Sequence, residues 1–320
     1  MPHPTATRPP EKAPQKGPAP GRRARRPFPS THRTVLSPYQ LNTRWGRRAY
    51  WAVLTFIVML FTAVFVFPFY WMVTGAMKTG EEFAQIPPTY TPPRFTLENY
   101  VEAWNLMNLD RFLGNTLFYA FGAWAFALAF DVAAAYALSK LRPFFGNVIL
   151  LMMLATLMIP PTVLLLPMYL TVKDVPIVNL DLLNTPWAIW LPAVANGFNI
   201  FLLKRFFDSV PADLLEAAQL DGASALRILW SVILPVSRPI LGVVSIFTVV
   251  NVWRDFVWPL LVLQEQDKMT ISVGITSLSA NTPQNVLVAA LVIASLPTII
   301  VFFIFQRHIM VGLTAGGLKG

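Results

Sequence analysis

A chain of 320 residues that is 55% hydrophobic and only 13% charged falls well short of the roughly 25% charge that soluble domains carry, and so points to a membrane protein. It has no cysteine, which excludes disulfides and thiolate metal sites, and its histidines, His3, His32 and His308, are too scattered to suggest a metal centre. A net charge of +9 could point to nucleic acid, but its placement along the chain argues for a membrane surface instead.

Residues 1–48 are rich in proline and arginine, including Arg22-Arg23-Ala24-Arg25-Arg26 and Arg44, Arg47 and Arg48. They lack apolar periodicity and cannot bury a core, so they read as a disordered cytoplasmic tail that attracts anionic lipid and sets orientation. Few aromatics are interleaved with the charges, so no nucleic-acid partner is expected. From Ala49 to Met77 there is no charge, more than the roughly 20 residues that cross a bilayer. The run is too long for a cleaved signal peptide and reads as the first span.

A polar segment from Lys78 to about Arg111, with Pro87-Pro88 and Pro92-Pro93, leads to a second span over about Asn115–Leu138 that contains Asp131. The third span lies within Val148–Leu170, where Pro160-Pro161 should break or kink it, because proline removes rungs from the helix ladder. A short external loop precedes the fourth span, about Pro186–Leu203, which holds Asn196 and Asn199. The fifth span, about Ile240–Leu263, holds Asn251 and carries Arg254 and Asp255 towards its outer end; the sixth is about Val286–Phe305.

Between the fourth and fifth spans lies the longest amphipathic polar stretch, residues 209–235. Ser209 and Pro211 suit a helix start. Asp213 and Glu216 complement the helix dipole in the first turns. Gly222 can take the left-handed conformation that ends a helix, Ser224 can cap a second helix through Leu234, and Pro235 can stop it. Leu214, Leu215, Ala217 and Ala218 fall near one face. Such a helix–turn–helix is too short to be a domain and must dock, either on its own protein or on a partner.

Six spans place both ends on one side, and the charges agree. Of the 25 Lys and Arg, eleven lie in the tail, two follow the second span, four flank or enter the 209–235 region and two are at the C-terminus. The excess of positive charge assigns all of these to the cytoplasm. The expected fold is therefore all-α: a polytopic membrane protein with six transmembrane helices and a cytoplasmic amphipathic helix, a coupling helix by the family resemblance of its residues, with residues 49–320 forming the transmembrane domain.

Glu216-Ala217-Ala218-x-x-Asp221-Gly222-Ala223, followed by Ile233-x-Pro235, resembles the EAA loop of ABC-importer permeases. Further likenesses are Phe95-Thr96-Leu97-Glu98-Asn99-Tyr100, Ala135-Tyr136-Ala137-Leu138 with Phe145-Gly146, Met158-Ile159-Pro160, Leu166-Pro167-Met168-Tyr169 and the tail from Gly312 to Gly320. They span roughly residues 50–320 and are closest to the maltose-type sugar permeases. Where that family usually has Trp-Asn before an acid, this chain has Trp253-Arg254-Asp255-Phe256. The resemblance implies half of a translocation pathway in a bacterial or archaeal cytoplasmic membrane. It implies as partners a second homologous permease, two ATPase subunits and an extracytoplasmic solute-binding protein delivering a sugar. It assigns Glu216, Ala217, Ala218, Asp221, Gly222 and Ala223 to ATPase coupling: a polar contact from Glu216, close approach at Ala217 and Ala218, and the turn at Gly222.

No Gly-Lys-Ser/Thr occurs, so the phosphate-cradling loop of a P-loop ATPase is absent; no cofactor is expected on this chain, and ATP with Mg²⁺ belongs to the partner ATPase. No glycine-flanked serine nucleophile or His-x-x-x-His pair suggests an enzyme. The candidate translocation path comprises Asp131, Asn196, Asn199, Asn251, Arg254 and Asp255, because charged and polar groups inside spans usually face a bundle interior or water. The charged residues could line the path or relay a proton, and each candidate has a structural alternative: a structural pair for Asp131, snorkelling for Arg254 and Asp255 near a span end, and interhelical bonding for the asparagines. At helical rise Asp131 lies roughly 13 Å from Lys140, and Arg254 roughly 24 Å from Arg238, so the two should not pair. An ion-coupled carrier using Asp131 as its switch and a non-transporting membrane scaffold are the other functional classes, and neither accounts for the EAA-like loop.

Overall fold

The computed structural model describes the backbone of residues 43–317 and the side chains of residues 43–306. The expectations for residues 1–42 and for the last residues of the tail lie outside these. The chain divides into two units, Met1–Val64 and Phe65–Gly320, and the first enters the described structure only as the leading part of helix α1 (Arg44–Gly75). That helix begins inside the segment read as tail and ends two residues before Met77.

Helices follow in order: α2 (Gly80–Phe83), α3 (Glu98–Leu106), α4 (Leu109–Tyr136), α5 (Gly146–Thr156), α6 (Pro161–Lys173), α7 (Trp187–Ala193), α8 (Gly197–Asp208), α9 (Ala212–Leu220), α10 (Ala225–Ile228), α11 (Leu234–Val236), α12 (Arg238–Arg254), α13 (Val257–Val262), α14 (Ile271–Leu278) and α15 (Gln284–Gly317). Wider π-helical turns extend α4 through Leu141 and join α10 to α11. Among the described residues there is no β-strand, only an isolated bridge between Val175 and Leu180.

Three helical stretches, Arg44–Gly75, Leu109–Leu141 and Gln284–Gln306, are long and apolar enough to cross a membrane unbroken. Two bent pairs raise the number to five: Gly146–Thr156 with Pro161–Lys173, turned by 107°, and Ala225–Val236 with Arg238–Arg254, turned by 84°. The first bend falls at the expected prolines, and its size makes it a break rather than a kink, the geometry of a broken span or a re-entrant loop. The fourth expected span is also two helices, α7 and α8, separated by Val194, Ala195 and Asn196, with Ala195 at φ 64°. It is neither a single apolar helix nor one of the bent pairs. The fifth ends at Arg254, and α13 is a separate short helix. Proline alone does not cause these breaks, since Pro167 lies inside α6 and Pro68 inside α1.

Helix α4 is central in the second unit and packs on α7, α8, α12 and α14. Its buried face is built largely from small residues, Ala120, Gly122, Ala123, Ala127 and Ala135, which let neighbouring backbones approach. The approach is closest at Gly122, where a Cβ would lie 2.2 Å from Trp190 Cε2; the Trp190 indole also donates to Tyr119 O at 3.1 Å. One apolar cluster joins the C-terminal half of α4 to α8, α10 and α12 through Tyr136, Leu203, Phe207, Ile228, Ile233 and Val244. A second joins α3, the start of α4, α14 and the start of α15 around Phe112, Ile271 and Ala289. A third joins α4, α6, α7 and α13 around Tyr119, Ile189 and Trp258.

Candidate functional site

The 209–235 stretch forms the expected helix–turn–helix. Gly222 ends α9 at φ 77°, with open space where a Cβ would stand and its N–H on Gln219 O at 2.9 Å. Ser224 Oγ accepts from Arg227 N at 3.4 Å and caps α10. Ser209 behaves differently from the sequence expectation. It closes α8, its hydroxyl donating to Phe206 O at 2.6 Å, and α9 starts after Pro211 with no side-chain cap. A hydroxyl between two helices can serve either, and the last carbonyls of α8 are the nearer partners. Helical structure also continues one residue past Pro235, to Val236, before the turn into α12.

Anchoring of this hairpin is one-sided. Ile228, Leu229 and Ile233 are buried in the first apolar cluster, with Leu215, Ala218 and Ala223 half-buried against it. Full burial of such a side chain contributes about 1.5–3 kcal/mol, so the second helix of the pair is firmly seated. No residue of α9 is fully buried. Glu216, Ala217, Asp221 and Gly222 face outward with Leu214, and Leu220, Leu226 and Trp230 are 90%, 68% and 70% exposed. Thus Leu214 and Ala217, expected on the same face as Leu215 and Ala218, lie on the open side. Exposed leucines and a tryptophan beside carboxylates make a surface suited to a protein partner.

A second feature is a pocket of about 410 Å³ between α6, α7, α12 and α13. Asn196, Asn199, Asn251 and Asp255 line it with Thr248, Met168 and Trp258, so four of the six candidate path residues come together. Arg254 is exposed and outside the lining. Asp131 is fully buried and also outside it. The Asp131 carboxylate accepts from Asn196 N at 3.1 Å and Asn199 Nδ2 at 3.0 Å. Asn199 Nδ2 also donates to Thr248 Oγ1 at 3.3 Å, and Thr248 donates to Val244 O. Asn196 Oδ1 in turn accepts from Phe198 N and Asn199 N and caps α8. Asp131 and Asn196 therefore occupy backbone donors freed where the fourth segment breaks, which is how irregular backbone is tolerated at membrane depth. No ion pair forms between Asp131 and Arg254, as their separation along the helices implied.

Asp255 sits where α12 ends; its carboxylate accepts from Trp258 N at 3.4 Å at the start of α13, and its carbonyl accepts from Ser272 Oγ at 3.2 Å. Thr248 was missed in the sequence, although its spacing to Asn251 and Asp255 is that of one helical face. Chemically the pocket offers amide donors and acceptors, a hydroxyl and a carboxylate, and its size is that of small-molecule sites. Among the described residues no group of His, Asp and Glu could hold a metal ion.

A family model described as "Binding-protein-dependent transport system inner membrane component" matches residues 131–310. Protein LplC of Bacillus subtilis is 30% identical over 274 residues, covering 81% of this chain and 90% of that protein. The sulfoquinovosyl glycerol transport system permease protein SmoH of Agrobacterium fabrum is 33% identical over 259 residues, 80% of this chain and 89% of its own. The arabinooligosaccharides transport system permease protein AraQ of Halalkalibacterium halodurans is 30% identical over 260 residues, 80% and 91%. In fold, the chain is similar to one chain in the crystal structure of a bacterial ABC transporter involved in the import of the acidic polysaccharide alginate. The TM-score is 0.72 at 24% identity, with coverage of 83% of this chain and 98% of that one.

Proposed function

Because this chain belongs to the family of binding-protein-dependent transport system inner membrane components, we propose that it forms one half of the translocation pathway of an ATP-driven sugar importer. In this reading a second homologous permease completes the pathway, an extracytoplasmic binding protein delivers the solute, and two ATPase subunits bind ATP and Mg²⁺. This chain catalyses no reaction itself. Both termini and the 209–235 hairpin lie in the cytoplasm, and the chain crosses the membrane six times, the broken fourth segment counted as one crossing.

The observation that carries the proposal is the hairpin's one-sided burial: an anchored inner face and an outer face bearing Leu214, Glu216, Leu220, Leu226 and Trp230. Closure of the ATPases on ATP would move this hairpin. Its seated half is joined through the turn at Ser237 to α12, whose Thr248 and Asn251 line the polar pocket. Movement of the hairpin is thereby passed to the pocket as a shift between two arrangements of packed helices. A sugar as solute is supported by the relatives named for oligosaccharide transport and by the pocket's amides and carboxylate, which match hydroxyl groups.

The test is reconstitution of the chain with its partner subunits in lipid, measuring solute uptake and ATP hydrolysis. Glu216→Lys and Gly222→Pro should each lower uptake at least tenfold, about 1.4 kcal/mol of coupling, while membrane insertion stays normal. Proline cannot adopt φ 77° and removes the Gly222 N–H bond. Normal uptake in both variants, or uptake that follows an ion gradient without ATP, would refute the proposal.

A further inference from the structure

We propose that the pocket at the end of α4 and α8 nearest the hairpin is a headgroup site for an anionic phospholipid. The pocket, about 460 Å³, lies beneath the loop joining α4 to α5 and is lined by Ser139, Arg142, Phe144, Asn147, Lys204 and Asp208, among others. Its geometry is held from within. Arg142 ends the π-helical turn at φ 47°, a left-handed conformation that favours glycine, fixed by its N–H on Ala137 O at 2.9 Å and its Nε on Ser139 O at 3.3 Å. This leaves the terminal nitrogens of the guanidinium without a hydrogen-bond partner among the described residues. A non-glycine residue held in that conformation is a feature that substitution could readily have relaxed.

The charge is unbalanced. Asp208 is occupied by Ser139 Oγ at 2.7 Å and Lys204 Nζ at 2.8 Å, so one carboxylate stands against Arg142, Lys204 and the neighbouring Lys140. Arg142 and Lys204, with the Asn147 amide, would surround a phosphodiester, the planar guanidinium giving two parallel donors.

A second, independent observation selects lipid as the source of that phosphate. Phe144 and Phe145 stack edge to face at 4.8 Å and are 94% and 64% exposed beside the pocket. Aromatic side chains next to a basic pocket at the end of apolar helices suit the boundary between headgroups and acyl chains. A free anion would leave both rings in water. The proposal rests on the topology given under the proposed function only for which leaflet supplies the lipid.

The test uses the full chain purified in mild detergent. Native mass spectrometry would compare retention of phosphatidylglycerol with that of phosphatidylcholine. Wild type should prefer the anionic lipid, and Arg142→Gln should lower the preference about fivefold, the weight of one basic residue at an anionic surface. Because only one residue changes, the basic N-terminal segment contributes equally to both. Melting in phosphatidylcholine should fall only slightly in Arg142→Gln, which loses the Nε bond to Ser139 O but keeps the backbone bond to Ala137 O. Phe144→Ser should reduce lipid retention without that loss of headgroup preference.

Equal preference in wild type and Arg142→Gln would overturn the proposal. Protection from heat by inorganic phosphate matching that by the lipid, and lost in Arg142→Gln, would make the pocket a free-anion site and also overturn it. Unchanged lipid preference with lost ATPase association would make it a protein interface, with the same consequence. The lipid measurement needs no partner subunit, so failure of the transport reading would appear separately, as absent solute-dependent ATP hydrolysis with lipid preference intact.

Discussion

Replacing Asp131 with alanine should loosen the break between α7 and α8 and lower the stability of the protein. The fully buried carboxylate accepts from Asn196 N and Asn199 Nδ2 at 3.1 and 3.0 Å. A buried donor left without a partner costs about 1–3 kcal/mol, and alanine strands the first entirely; the second keeps its bond to Thr248 Oγ1 at 3.3 Å. Removing the carboxylate also relieves the cost of burying it, so the net loss stays within about 1–3 kcal/mol. That corresponds to a fall in Tm of roughly 2–10 °C, since a chain of 320 residues shifts by no more than ~2–4 °C per kcal/mol. Asp131→Asn keeps one acceptor and should cost about half as much. Thermal unfolding in nanodiscs, read beside uptake, separates the possible roles. The geometry predicts the stability order wild type, Asp131→Asn, Asp131→Ala, with uptake largely kept in Asp131→Asn. If both variants melt like wild type, the carboxylate does not hold the break. If Asp131→Asn is stable but transports nothing, the residue carries a proton and its role is functional rather than architectural.

Gly274→Ala should destabilise by about 1–3 kcal/mol through overpacking, because the added Cβ would stand 2.3 Å from the Phe112 ring; a melting temperature equal to wild type would contradict that contact. Acid should weaken the α4–α8 junction through Asp208. Burial works to raise this carboxyl, but bonds from Lys204 and Ser139 and the charges of Lys204 and Lys140 outweigh it and hold it below its ordinary 3.8. A depressed folded value contributes stability that is present above 3.8 and lost as pH falls through the lower folded value. In Asp208→Asn that part of the acid dependence should disappear, and an unchanged acid profile would remove the argument.

Much of this architecture follows from local signals. Uncharged runs as long as Ala49–Met77 can only be stable as helices in lipid, because each backbone donor must find its acceptor within the segment. Gly222 is readable as the turn, and it takes φ 77° there because a residue without a Cβ adopts that conformation at no steric cost. The break at Pro160 was equally legible. The size of that bend, 107°, was not, since it depends on what α5 and α6 each pack against.

Other features needed the folded chain. Pro192 and the Asn196-Gly197 pair mark irregularity near Val194–Asn196, but the group that stabilises the break, Asp131, is 65 residues away in sequence. Arg254 and Asp255 are adjacent and equally polar, yet only Asp255 lines the pocket, where α12 stops and α13 begins. Composition and periodicity alone thus determined that this is a helical membrane protein carrying an amphipathic hairpin, because those properties depend on a residue and its near neighbours. Which polar groups meet, and which face of the hairpin stays open, was decided only by tertiary packing, since a hydrogen bond or a buried surface exists only where distant segments bring their atoms into contact.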